Sequence, residues 1–535
     1  MTLSSISTPH TTEWKFSQVF GEPAPGEDVQ QTDIISAIEF EKGGDYVAIG
    51  DHGGRVVIFE KRTPKDDSLE YITRNELEQN DFMIRHPPNY QYKTEFQSHE
   101  PEFDYLKSLE IEEKIKKVRW CMSPNGSLFI LSTNDRTVKL WKVKESKVKK
   151  VKEMDLDPFV ASENSLLAEK SFSSIPETTP LSNGVEWADK TFNGAYSSVS
   201  HTKVPKFEDS PPARCRKAYA HAHDFNINSI SNNSDGETFL SADDFRVNLW
   251  NLEISDQCFN IIDMKPPNME DLTGLQYHLA TFLLTSLSNG KQKHDGFSDL
   301  CLEVITSAEF HPFHCNLLAY SSSRGYIRLV DMRKSAICDQ SSRILHDGAS
   351  NGSKSFFTEI VASISDLKFA SNGRHILSRD YMSLKLWDIH MENSPVATYK
   401  IHEHLRPKLS DLYNNDAIFD KFACCLRGDG LQFATGSYSN QVHIFSHGGG
   451  VEDITFEASK NPNRKPLMHA NTRARRRSLS NLTRAFSRHG QENLNSENNE
   501  YYCNLNAKLL HLAWHPNKDL IACAAGSSLF MHYLW

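Results

Sequence analysis

Two histidine pairs, one pair of adjacent carboxylates and one pair of adjacent cysteines are the residues of this chain whose types and spacing suit chemistry. His221 and His223, and again His402 and His404, stand two apart on a strand or loop. Two histidines two apart, without a carboxylate or cysteine partner in ligand spacing, are more often surface residues than metal ligands, so surface histidines are expected. Asp243 and Asp244 resemble the paired acids of general acid–base catalysis. Neighbours on a strand point to opposite sides, however, and a turn acid with a structural role is the simpler reading. The same alternation separates Cys424 from Cys425 and argues against a metal site there. No GxSxG elbow, P-loop or HExxH motif is present. The expectation is a non-enzyme with no catalytic residue, no metal and no cofactor.

The elements that carry these residues repeat. Glu237 to Glu253, ETFLSADDFRVNLWNLE, reads as two short strands joined by a turn at Asp243 and Asp244. Apolar, β-branched and aromatic residues recur with a period near two, and turn-formers flank them. LSTNDRTVKLW, YSSSRGYIRLVDM, LSRDYMSLKLWDI and GSYSNQVHIF repeat the pattern, and IGDHGGRVVIF and AAGSSLFMHYL are weaker copies. Each follows a further strand and turn, as in VRWCMSPNGSLFILS. One hairpin cannot bury both faces, whereas about seven such units can stack radially so that each covers its neighbour. The expected fold is all-β, a seven-bladed WD-repeat propeller over residues 31–535 behind a tail at 1–30, in which TEWKFSQVF is an entering strand.

Composition narrows the function. No apolar run approaches the roughly 20 residues of a membrane helix, and the N-terminus lacks the basic and apolar regions of a secretory signal. Ten scattered cysteines without a CxxC pair suit a reduced, cytoplasmic protein. The formal charge is −10, but seven Lys or Arg and no acid lie between Lys465 and His489, leaving about −17 on the rest. An acidic body with one basic segment argues against a nucleic-acid partner and suits basic polypeptides. That segment, 464–500, reads as a loop between the last two blades. Arg475, Arg476 and Arg477 precede Ser478, a basophilic-kinase pattern and a candidate phosphorylation site, and the cluster also permits a nuclear-localisation reading.

Within the 93–117 excursion lies EFDYLKSLEIEEK, Glu102 to Lys114, where Phe103, Tyr105, Leu106, Leu109 and Ile111 alternate with charges without a clean period. An excursion packed on the rim and a partner-binding platform are both open readings of it. The stretch resembles the signature of the B-type regulatory subunits of protein phosphatase 2A. Ala222 to Trp250 resembles a second family segment, and FNIIDMKPPNMEDLT, RDYMSLKLWDI and ENSPVATYKIHEHLR extend the likeness over nearly the whole chain. Lys116 and Asn226 depart from the family pattern. So does 274–302, which separates MEDLT from EVITSAEFHP and lengthens the Trp250 to Val330 spacing to about 80 residues. This segment is read as an alternative-transcript insertion, or else as a lineage-specific loop.

The resemblance implies a regulatory subunit that docks on the scaffold (A) subunit of the phosphatase and recruits phosphorylated substrates, with basic or helical segments, to the catalytic (C) subunit. It also implies substrate-binding residues on one face: Asp244 for basic side chains, Leu272 as an apolar contact, a cluster of Tyr413, Asp416, Phe419 and Lys421, and Phe225 as an aromatic neighbour. Blade core is the competing reading for Phe225 and Phe419, and turn structure for Asp244. The insertion begins just after Leu272 and is expected to cover or distort the groove. A generic WD-repeat scaffold or ubiquitin-ligase substrate receptor is the alternative function; it has no reason to carry EFDYLKSLEIEEK.

Overall fold

The computed structural model describes residues 13–24, 26, 28–62, 88–106, 108–122, 126–144, 211–220, 222–265, 303–338, 342–348, 356–391, 394–448, 453–462 and 504–535. The segments 274–302 and 464–500 lie outside these, as do His221, Leu272 and Ser478. The chain divides into a main unit, Met1–Lys144 with Pro212–Trp535, and a second, Glu145–Pro211, which but for Pro211 falls outside the described residues.

The main unit is a seven-bladed propeller. Seven four-stranded antiparallel sheets follow one another along the chain, and their first strands touch in sequence until the seventh meets the first. These inner strands are Ile35–Phe40, Lys117–Cys121, Ser229–Asn232, Ile305–Phe310, Ile364–Phe369, Cys424–Leu426 and Leu512–Trp514, and they number blades 1 to 7. The ring is closed by sheet pairing. Trp14–Phe20 is the outer strand of blade 7 and pairs antiparallel with Ser528–Leu534, so the expected entering strand ties the two ends of the chain together.

Closure needs a core at every blade-to-blade interface, and each has one. Leu240, Val247 and Ile262 of blade 3 pack on Ile305, Phe310 and Leu318 of blade 4, and equivalent clusters fill the other six interfaces. Each such side chain contributes roughly 1.5–3 kcal/mol on burial. The alternation seen in the sequence is thus buried on both faces, because every sheet is covered on both sides.

Two local devices recur. At the turn between second and third strands an Asx side chain holds the backbone: Asp243 Oδ1 accepts from the N–H groups of Phe245 (2.8 Å) and Arg246 (2.7 Å). Asn134 Oδ1 and Asp380 Oδ1 do the same in blades 2 and 5. At the opposite end, blades 4 and 7 carry a histidine after the inner strand. His515 Nδ1 accepts the Asn517 N–H, and its Nε2 donates to the carbonyl of Gly44 in blade 1 at 3.2 Å. His311 makes the matching bond to the carbonyl of Gly373 in blade 5 at 2.9 Å.

Antiparallel order fixes what shares an end. In every blade the turn between second and third strands lies at the same end as the connection leading from an outer strand to the next inner strand. This upper end therefore carries the Asp243–Asp244 turn, the approach to blade 3 at Phe225, and the connection from blade 5 to blade 6. The last holds a 3₁₀ turn Glu403–Lys408, a short helix Leu409–Asn414 and a second 3₁₀ turn Ala417–Phe419. Another helix, Phe356–Ala362, precedes blade 5 at the same end.

Candidate functional site

Of the histidines that could suggest metal ligands, His404 is exposed as expected, whereas His223 and His402 are structural. His223 is 6% exposed and His402 fully buried, which corrects the expectation of surface residues. His223 Nδ1 lies 2.8 Å from Asp243 Oδ2 and its Nε2 2.6 Å from Ser241 Oγ, which also accepts from Trp250 Nε1 at 2.8 Å. A chain of four residues thus links the blade's second and third strands, and a buried polar network of this kind specifies a strand register as well as stabilising it. His402 bridges two blades: Nδ1 is 2.6 Å from the Tyr381 carbonyl and Nε2 2.9 Å from Ser437 Oγ. With both ring nitrogens engaged, neither histidine has a lone pair to give a metal.

Asp243 and Asp244 lie in the turn between Thr238–Ala242 and Arg246–Asn251, and the turn itself sends their side chains apart. Asp243 is buried in that network, whereas Asp244 is half-buried at the mouth of the central channel and accepts from Asn228 Nδ2 at 2.8 Å. Burial pushes its carboxyl up, and the Asn228 bond and the charge of Lys421 oppose the shift. Lys421 precedes blade 6. It keeps solvent contact, yet the surrounding protein pushes its ammonium down against the pull of Asp244, with Lys116 adding to the depression. The half-buried acid of blade 3 and the exposed ammonium before blade 6 therefore attract one another.

The blade 5 to blade 6 connection presents the apolar half. Leu405, Leu409, Leu412 and Ile418 bury against Tyr381, Phe422 and Tyr438 in a cluster separate from the seven blade interfaces. From this base Tyr413 stands half-buried, its ring 5.8 Å from Phe419 and 5.5 Å from Phe356 of the helix before blade 5. Phe419 is 51% exposed, so it is not blade core. Asp416 is exposed with a left-handed φ of 56°, a conformation that short polar residues tolerate, and its carbonyl starts the second 3₁₀ turn. It borders a polar recess of about 860 Å³ shared with Asp420 and Lys508. Phe225 stacks edge-on against Phe245 at 4.7 Å and lies under Lys265 at 5.4 Å. Phe225 and Asp244 thus belong to blade 3, Tyr413, Asp416 and Phe419 to the connection, and the Lys421–Asp244 attraction links the two groups.

The EFDYLKSLEIEEK stretch forms a hairpin, Glu102–Asp104 with Leu109–Ile111, turned at Ser108 with φ 50°. Its tip carries Tyr105, 85% exposed, and Leu106, 98% exposed. Two apolar side chains so displayed at the upper end form a contact surface suited to a partner.

Sequence reasoning missed the channel. Arg119 pairs with Glu39 at 2.7 Å, Lys117 lies 4.0 Å from Asp366, and Glu309 accepts the Phe369 N–H at 2.9 Å. The space left beside them is about 40 Å³, room for a water or two and too little for a substrate. Alternating charged residues in the inner strands, as in KVRWC, were the signal. Cys424 lines this channel and Cys425 the core between blades 6 and 7, and burial pushes both thiols up, the latter to about 12. Among the described residues no group of three or more His, Cys, Asp or Glu is arranged to hold a metal ion.

Fold and turn chemistry together define a WD-repeat propeller, and the family model "WD domain, G-beta repeat" matches residues 112–142 and 214–251. The chain is 54% identical over 531 residues to the B beta isoform of the 55 kDa regulatory subunit of serine/threonine protein phosphatase 2A from Arabidopsis thaliana, covering 98% of this chain and 97% of the relative. It is 53% identical to the B alpha isoform of the same plant, with 97% and 96% covered. To the B-type regulatory subunit of protein phosphatase PP2A from Schizosaccharomyces pombe it is 43% identical, with 97% of each covered. This chain belongs to the 55 kDa B-type regulatory subunits of protein phosphatase 2A, and its role is regulatory rather than catalytic.

Proposed function

We propose that this propeller docks on the scaffold subunit of the phosphatase and holds phosphorylated substrates by its upper end, next to the catalytic subunit. The observation that carries the reading is the juxtaposition of Asp244 and Lys421, both pushed toward their neutral forms, with the exposed aromatic step of Phe419 and Tyr413. A basic side chain placed at Asp244 adds charge compensation to a carboxylate that burial has stripped of water, and an apolar side chain covers Phe419. Such a site need not bind tightly. Holding a substrate by a second point raises its local concentration at the active site to the millimolar range typical of short tethers.

We assign the scaffold contact to the 102–111 hairpin, whose Tyr105 and Leu106 have the size and exposure of interface anchors. The test is peptide binding to the assembled trimer. Asp244→Ala should weaken a peptide with a basic helical segment roughly 10–100-fold, the usual cost of removing one member of a desolvated charge pair, and should leave assembly intact. Unchanged peptide affinity would move the substrate site elsewhere.

A further inference from the structure

Arg379, on the second strand of blade 5 (His375–Asp380), is fully buried, and its Nε and both terminal nitrogens find no hydrogen-bond acceptor. Among the described residues no other arginine or lysine leaves every side-chain nitrogen so placed. A guanidinium carries five N–H donors in one plane, and here the Asp380 carboxylate offsets its charge from nearby while no acceptor meets those donors. Burial pulls the group down only to about 10, so it is charged at neutral pH.

The surroundings explain one face of the group and leave its edge unexplained. Phe422 lies 5.5 Å beneath the guanidinium and supplies a cation–π contact. His402 packs on Phe422 and Tyr438 at 5.2 and 5.3 Å, closing an aromatic wall. A ring face attracts the cation but accepts nothing from in-plane N–H groups. The acceptors nearby are committed. Asp380 Oδ1 takes the N–H groups of Met382 and Ser383, and its Oδ2 the Ser383 hydroxyl and the Lys385 ammonium. Both His402 nitrogens are in use, and the Tyr438 hydroxyl is held by Tyr381, the Ala417 carbonyl and Asp420. His443, whose Nδ1 lies 2.9 Å from Thr455 Oγ1, is kept neutral by burial and by the Arg379 charge.

We propose that the edge of the Arg379 guanidinium holds a small monovalent inorganic anion of the chloride class, enclosed between blades 5 and 6. Such an ion accepts several N–H groups at once, which the Asp380 carboxylate, its oxygens already engaged, does not. It lies beneath the connection bearing Tyr413, Asp416 and Phe419, and Phe422, which covers the arginine, directly follows Lys421 in sequence. The anion is thus part of what fixes the floor of the upper-end site.

Bromide is the probe. Crystals of the full chain, or of its holoenzyme, grown with sodium bromide should show an anomalous peak within about 3.5 Å of the Arg379 nitrogens, and Arg379→Met should lose it. In solution the melting midpoint of the wild-type chain should rise with bromide at constant ionic strength against gluconate, and that of Arg379→Met should not respond. Should Arg379→Met fail to fold, the wild-type map and titration still decide. Anomalous maps with no peak at Arg379, or a bromide response equal in both proteins, would overturn the assignment.

Discussion

Asn228 Nδ2 donates to Asp244 Oδ1 at 2.8 Å, and the same amide donates to the carbonyl of Ile305 in blade 4 at 3.0 Å. The carboxylate at the channel mouth is thereby oriented by a side chain that is itself fixed to the neighbouring blade. Asn228→Ala should free Asp244 to rotate without removing its charge. We expect roughly threefold to tenfold weaker binding of a basic peptide, less than for Asp244→Ala, in line with the loss of about 1 kcal/mol from one hydrogen bond. Titration calorimetry on the two variants checks the order.

Phe419 and Tyr413 touch, but only one should matter for stability. Phe419→Ala removes an exposed ring and should weaken peptide binding about tenfold with the melting midpoint unchanged. Tyr413→Ala also removes contacts with Phe356 and Phe357 and should lower the midpoint. Paired melting and binding curves separate the two.

Ring closure predicts a contrast between two glycines of positive φ. A Cβ on Gly44, at φ 78°, would stand 2.3 Å from the His515 ring, whereas the space around Gly526, at φ 63°, is open. Gly526→Ala should cost about 1 kcal/mol of backbone strain. Gly44→Ala should cost clearly more, because it also forces apart the bond joining blades 7 and 1. Denaturant unfolding of the full chain measures both.

Buried neutral histidines set the acid limit. Burial holds His515 and His532 down to about 4 and His99 to about 3, against an ordinary 6.5. The unfolded chain takes up protons as pH falls below 6.5 while the folded one does not. Their stabilisation is therefore complete above pH 6.5 and is lost between 6.5 and about 4. Every tenfold loss of proton affinity on folding corresponds to about 1.4 kcal/mol of it. The midpoint should fall over that window, less steeply in His515→Gln; a midpoint flat from pH 7 to 4 would contradict it.

Tyr105 and Leu106 should act in assembly alone. The double change of both to Ser alters only exposed atoms at the hairpin tip, so the propeller should melt unchanged while co-purification with the scaffold and catalytic subunits drops at least tenfold.

Seven units were legible because each repeats turn-formers at its second turn and apolar residues with period two. The separation of Asp243 from Asp244 agrees with the expectation, but the reason differs, since both residues lie in the turn and not on a strand. The buried roles of His223 and His402 were not legible, since a histidine two residues from another reads the same whether it faces solvent or a serine of a neighbouring strand. Nor could sequence join Asp244 to Lys421, which only the closed ring brings within electrostatic reach, or single out Arg379, whose position before a turn aspartate looks like a surface one until the 402–422 connection covers it. EFDYLKSLEIEEK lacked a clean period because a three-residue strand on each side of a tight turn is too short to show one.

The most direct measurement is dephosphorylation by the reconstituted trimer of two substrates, a phosphoprotein with a basic helical segment and a short phosphopeptide without one. The wild-type chain is compared with an Asp244→Ala, Lys421→Glu double variant. If the upper end of the propeller captures substrate, the first substrate slows at least tenfold in the variant and the second does not change. Equal rates for both substrates in both trimers would contradict capture at that end.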